Sequence, residues 1–140
     1  MKLTKYIVLF LSILFVGIVA IEQYPGVMVP LANAAGELEY LMFGLFEISM
    51  LDDITHLVSG LVGFYALFRG PQMRVKFLIL FGGYYTLDAL FFILNGFVTK
   101  QPLIDNFLLN GPHIGISILA AIGIAVSVRR IEYRDPALNN

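Results

Sequence analysis

The chain has 140 residues, of which 59% are apolar and only 14% charged, with a formal net charge of −1 and a mean hydropathy of +0.83; such a composition argues for one small membrane-embedded unit and against a soluble globule. No basic field is present to hold nucleic acid, and the lack of any cysteine excludes disulfides, thiolate metal sites, iron-sulfur clusters and thiol redox chemistry together. What remains is the chemistry of histidine, carboxylate, tyrosine and methionine.

Four apolar segments each approach the roughly 20 residues that cross a hydrocarbon core about 30 Å thick as a helix, and strand readings fail on length and on the absence of alternation. The first runs over about 3–23, bounded by Lys2 and Lys5 on one side and Glu22 on the other. Its lysines and apolar run, with Ala32-Asn33-Ala34 downstream, imitate a secretory signal with an A-x-A cleavage site. The apolar core is long for such a segment, however, and a stretch holding Pro25 and Pro30 separates it from the alanines; the expectation is a retained anchor, with Met1 to Ala34 staying attached.

The longest connection follows, over 25–49. In its second half, GELEYLMFGLFEISM, the residues Leu38, Leu41, Met42, Leu45 and Ile48 repeat at helical spacing while Glu37, Glu39 and Glu47 can face water, which predicts a short amphipathic helix on the outer surface. Met28, Met42 and Met50 raise a copper-binding loop, against which thioethers at such spacing commonly serve packing. The second span covers about 50–69, the third 75–98 and the fourth 112–130, where Pro112 suits a first helical turn and Asn110 or Gly111 can precede it as a cap. The expected fold is therefore all-α: a four-helix integral membrane bundle forming one domain over 1–140.

Basic residues set the orientation. Lys2, Lys5, Arg69, Arg74, Lys76, Arg129, Arg130 and Arg134 fall on one side of the spans and only Lys100 on the other, so both termini are expected in the cytoplasm. The acids mirror this, with Glu22, Glu37, Glu39, Glu47, Asp52, Asp53 and Asp105 on the outer side. Tyr6 and Tyr133 near the inner boundary, and Tyr24 and Tyr40 near the outer one, suit interfacial aromatics in a chain without tryptophan.

Within the spans, small and polar residues mark the inward faces. His56, Ser59, Gly60 and Gly63 form one stripe on the second helix, and His113, Ser117, Ala120, Ala121 and Ile124 form another on the fourth, both suited to close helix approach. On the third, Tyr84, Asp88 and Asn95 share a face. Counting at 1.5 Å per residue puts His56 about 20 Å above Arg69, Asp88 about 18 Å above Lys76, His113 about 24 Å above Arg129 and Asp53 about 24 Å above Arg69. An aspartate facing lipid is costly, so Asp88 is expected to point inward toward His56 or His113. The expected polar pocket is Asp52, Asp53, His56, Tyr84, Asp88, Asn95 and His113, opening outward.

The stretch FGLFEISMLDDITHLVSGLVGFYAL, a basic inner loop, a Tyr-bearing third span and LIDNFLL…HIGISILAAIGIAVS together resemble a bacterial family of four-helix integral membrane proteins classed as a domain of unknown function. Gly44-Leu45-Phe46, the His56-Leu57…Gly60…Gly63 pattern (HLxxGxxG) and Asp105-Asn106 followed by His113 carry the resemblance, over about 40–130. The resemblance implies a fold and a membrane location but no established activity. The chain departs from the family pattern in one place: Leu108-Leu109-Asn110-Gly111-Pro112 intervene before His113, where the family keeps acid and histidine about a turn apart. The halves also echo each other, with MLDDI before His56 and LIDNF before His113, as in a parallel repeat about an axis along the membrane normal.

Three readings of the polar residues compete. Asp53, His56, Asp88 and His113 can form a hydrogen-bonded latch between helices. His56 and His113, with Asp53 or Asp88, can ligate a metal or a b-type haem. The same carboxylates can serve a proton or ion relay, although the inner half shows no matching acid or histidine. Catalysis at the outer surface would need water activated by a metal at this cluster and is not the expectation. An accessory or ligand-binding protein of the cell inner membrane is expected, surrounded by lipid, with a second copy or another membrane protein as partner and no required cofactor.

Overall fold

Thr4, Ile7, Val8, Leu11, Ser12 and Phe15 fall at i, i+3, i+4, i+7, i+8 and i+11, one face of a 3.6-residue period. In the computed structural model, which describes residues 2–32, 36 and 38–134, with side chains as far as Val128, that face of helix α1 (Lys2–Glu22) is buried. Three further helices pack around it, α2 (Met50–Arg69), α3 (Pro71–Val98) and α4 (Leu103–Arg134). All four are long and apolar enough to cross a membrane, and they pack as a four-helix bundle. The Thr4 and Ser127 hydroxyls bond at 2.9 Å, placing the start of α1 beside the end of α4.

The α1–α2 seam is closed by glycine. Gly60 lies so near Ser12 and Val16 that an added Cβ would stand 3.0 Å from the Ser12 carbonyl oxygen, and Gly63 faces Ser12 and Phe77. The stripe His56, Ser59, Gly60 and Gly63 is buried, as small-residue packing requires. Helix α2 starts with a reciprocal capping box: Asp52 N donates to Ser49 Oγ at 3.3 Å and Ser49 N donates to Asp52 Oδ2 at 2.9 Å, so Asp52 satisfies a helix terminus.

Two boundaries differ from the sequence expectation. Helix α3 begins at Pro71 rather than Val75, leaving Gly70 as the whole connection. Proline at the first helical position has its φ preset, Gly70 takes φ +104°, and the Arg74 guanidinium donates to the Leu67 carbonyl at 2.9 Å, answering a free acceptor at the end of α2. Helix α4 begins at Leu103, so Pro112 is an interior residue and neither Asn110 nor Gly111 is a cap. The segment LIDNFLLN is helical because its asparagines bond within the hairpin: Asn106 Nδ2 donates to the Ile93 carbonyl at 3.0 Å, and Asn110 Nδ2 to the Asn106 carbonyl at 2.8 Å.

The amphipathic helix expected over GELEYLMFGLFEISM is not formed. The α1–α2 connection is a three-stranded antiparallel meander, β1 (Met28–Ala32), β2 (Leu38–Met42) and β3 (Phe46–Glu47), in the order β1-β2-β3. Phe43 and Gly44 both take positive φ, 55° and 70°, a break that no α-helix contains; an isolated segment this short is also a marginal helix in water. Pro30 lies on edge strand β1, where a missing N–H is tolerated. Register pairs Met28 with Met42, while Met50 belongs to α2. Glu37, Asn33 and Ala34, and the side chain of Tyr133, lie outside the described residues.

Candidate functional site

The end of the bundle that carries the meander gathers the buried or half-buried carboxyl, imidazole and amide groups Glu22, Asp53, His56, Asp88, Asn106 and His113. Helices α3 and α4 face each other through small residues: Gly82 packs on Ala120, Gly96 on the Asn106 amide, and Ala89 is buried. Gly82, Ala89 and Gly96 recur every seven residues, and this stripe sets the rotation of α3. Tyr85 falls inside it and is 1% exposed, whereas Tyr84 is 48% exposed and Asn95 is exposed. The expected pocket therefore loses Tyr84 and Asn95 and gains Tyr85. On α4 the buried face is Asn106, Asn110, Ile116, Ala120, Gly123 and Ser127, with His113 and Ser117 half-buried and Ala121 exposed.

Asp88, one turn above Tyr84 and beside Ala89, reaches the neighbouring helix. Its Oδ2 lies 2.6 Å from His113 Nδ1. The approach is close but not aligned as a hydrogen bond, and Oδ2 is buried without a directed donor. Asp105, exposed in the first turn of α4, takes no part. His56 sits on α2 in an aromatic layer: its ring is 6.1 Å from Phe15 and 6.2 Å from Tyr85, all three nearly parallel, with Phe15 and Tyr85 stacked at 4.9 Å. Tyr85 also packs against His113 at 5.3 Å. His56 is 8% exposed, and its Nδ1 has no hydrogen-bond partner. It lies within electrostatic range of His113, Asp52, Asp53 and Asp88.

A third grouping joins α1 to α2. Glu22, 8% exposed, brings its carboxyl group to that of Asp53. Glu22 Oε1 and Asp53 Oδ1 are both buried without a donor. In the sequence Glu22 reads as a span boundary. Its place on the same helical face as Ser12 and Phe15 is the available signal, as is the spacing of Asn106 and Asn110 on α4 for the amide pair.

The polar residues thus separate into two kinds. Ser12, Ser127 and Asn110 complete bonds within their own helices, to the Val8 and Gly123 carbonyls and to Asn106, while Asn106 to Ile93 and Thr4 with Ser127 bond from one helix to another. Glu22, Asp53, His56 and Asp88 each keep a buried polar atom without a directed partner. Most buried polar atoms in proteins are satisfied; these four, with Arg74 Nε at the opposite end of the bundle, are the exceptions among the described residues.

The metal and haem readings gain no support from this geometry. Among the described residues no group of three or more histidine, aspartate or glutamate side chains converges as a metal site. His56 and His113 both pack against the Tyr85 ring, so a tyrosine holds the ground that a macrocycle ligated by both imidazoles would need. A relay across the membrane would need groups further down the bundle, where the buried polar side chains among the described residues include the hydroxyls of Thr4, Ser12 and Ser127. Comparison with protein-family models, with curated proteins and with solved structures gives no match.

Proposed function

We propose that this chain is a non-enzymatic protein of the bacterial cytoplasmic membrane, akin to the four-helix family it resembles, with both termini in the cytoplasm and its His/carboxylate centre open to the outer side as a binding site for a small hydrogen-bond-donating ligand. It serves as an accessory protein in lipid, beside a second copy or a membrane partner. The observation that supports this reading is the buried His56 Nδ1, which has no hydrogen-bond partner, near the Asp88–His113 pair whose imidazole packs on the same Tyr85 ring. A buried ring nitrogen left without a partner is what a hydrogen-bonding ligand needs. The segregation of Lys2, Lys5, Arg69, Arg74 and Lys76 at the opposite end supports the orientation.

Native mass spectrometry of the protein released from detergent tests the reading. A small-molecule adduct on the intact chain that is lost in Asp88→Leu and in His56→Leu is expected; a bare chain mass in the intact protein, or an adduct indifferent to both changes, contradicts it. A C-terminal reporter active only outside the cell would contradict the orientation. The second reading is a plain interhelical latch, favoured by the span of the Asp88–His113 contact from α3 to α4. It expects the bare mass together with a loss of stability.

A further inference from the structure

The two sequence echoes, MLDDI and LIDNF, place Asp53 and Asn106 at equivalent positions of their hairpins. Each reaches back to the helix before it, Asn106 to the Ile93 carbonyl of α3 and Asp53 to the Glu22 carboxyl of α1. The chemistry at the two positions is not equivalent. An amide carries its own N–H donors, and Asn106 uses one on Ile93. An ionised carboxylate is acceptor-only, and Asp53 meets a second acceptor.

We propose that Glu22 and Asp53 form a proton-binding site at the meander end of the α1–α2 seam, one proton being shared between the two carboxyl groups. With both ionised, Glu22 Oε1 and Asp53 Oδ1 remain buried without a donor, and two negative charges adjoin on a side chain, Glu22, that is 8% exposed. One proton taken from solution forms an O–H bond on one carboxyl, supplies the missing donor to the other and removes one charge; no other atom moves and no electron is transferred. Asp52, one residue from Asp53 on α2, is a further acid beside the pair, and His56, one turn below Asp53, is the titratable group next along α2. Among the described residues no lysine or arginine forms an ion pair with either carboxyl group. The site does not depend on a ligand at Asp88 and His56.

Infrared absorption of the intact protein in lipid nanodiscs tests this directly. The protonated carboxyl C=O band is expected near neutral pH, fading reversibly as the pH rises. Glu22→Gln and Asp53→Asn should each abolish it, because the new amide donates to the remaining carboxylate as Asn106 does to Ile93, and circular dichroism should show both variants folded. Asp88→Asn should leave the band in place. Absence of the band in the intact protein, its survival in either Glu22→Gln or Asp53→Asn, or its loss in Asp88→Asn alone would overturn the proposal.

Discussion

Asp88 of α3 and His113 of α4 meet at 2.6 Å with their side chains 22% and 29% exposed, the one carboxylate–imidazole contact between α3 and α4 among the described residues. Replacing Asp88 by asparagine keeps an acceptor for His113 and should be mild. Asp88→Leu leaves the imidazole without its partner and should cost about 1–3 kcal/mol. The pair Asp88→Leu with His113→Leu should cost less than the sum of the two single changes, since contacting residues couple. Reversible unfolding in bicelles, read as a double-mutant cycle, checks this.

Gly96 lies against the Asn106 side chain, while Gly83 on the same helix has open space around it. A methyl group at Gly96 must displace the amide that donates to Ile93 at 3.0 Å and should destabilise the α3–α4 hairpin by about 1–3 kcal/mol. Gly83→Ala should fall within about 0.5 kcal/mol of the parent or stabilise it, since alanine has the higher helix propensity. Thermal unfolding of the two variants side by side separates packing from propensity.

Tyr85 has a ring that touches Phe15, His56 and His113, and a hydroxyl only 3.5 Å from Ser59 Oγ. Ser59 already donates to the Thr55 carbonyl at 2.6 Å, so the hydroxyl contributes little. Tyr85→Phe should cost under about 1 kcal/mol, whereas Tyr85→Ala should cost about 3–5 kcal/mol by opening a cavity in the aromatic layer. Chemical denaturation in detergent gives both values.

The helices are legible in the sequence because length and hydropathy alone decide whether a segment can cross a membrane; the span expected over 50–69 coincides with α2, although Asp52, which reads as a pocket residue, belongs with Ser49 to the capping box that starts it. The rotation of α3 departs from expectation for a physical reason. The polar residues Tyr84, Asp88 and Asn95 suggest an inward face, but close packing of Gly82, Ala89 and Gly96 against α4 has the larger effect, and a tyrosine or asparagine near an interface can face outward. The start of α4 is hidden because Pro112 resembles a first-turn residue, and only the bonds of Asn106 and Asn110 to their neighbours make LIDNFLLN helical. The meander is masked by leucines whose spacing fits a helix, while the positive φ of Phe43 and Gly44 has no signature in hydropathy. Asp88 facing His113 follows from depth and from the cost of burying a charge; Glu22 facing Asp53 does not, because Glu22 also reads as the end of a span.

Sidedness and access are tested together by one measurement. The chain has no cysteine, so Asp53→Cys carries a single thiol at the edge of the centre, and a small charged, membrane-impermeant thiosulfonate can be applied to either face of oriented membranes. The account predicts modification from the outer face alone, in the folded protein. Modification from the cytoplasmic face alone, or a thiol that reacts only after the protein is unfolded, would contradict an outward-open site.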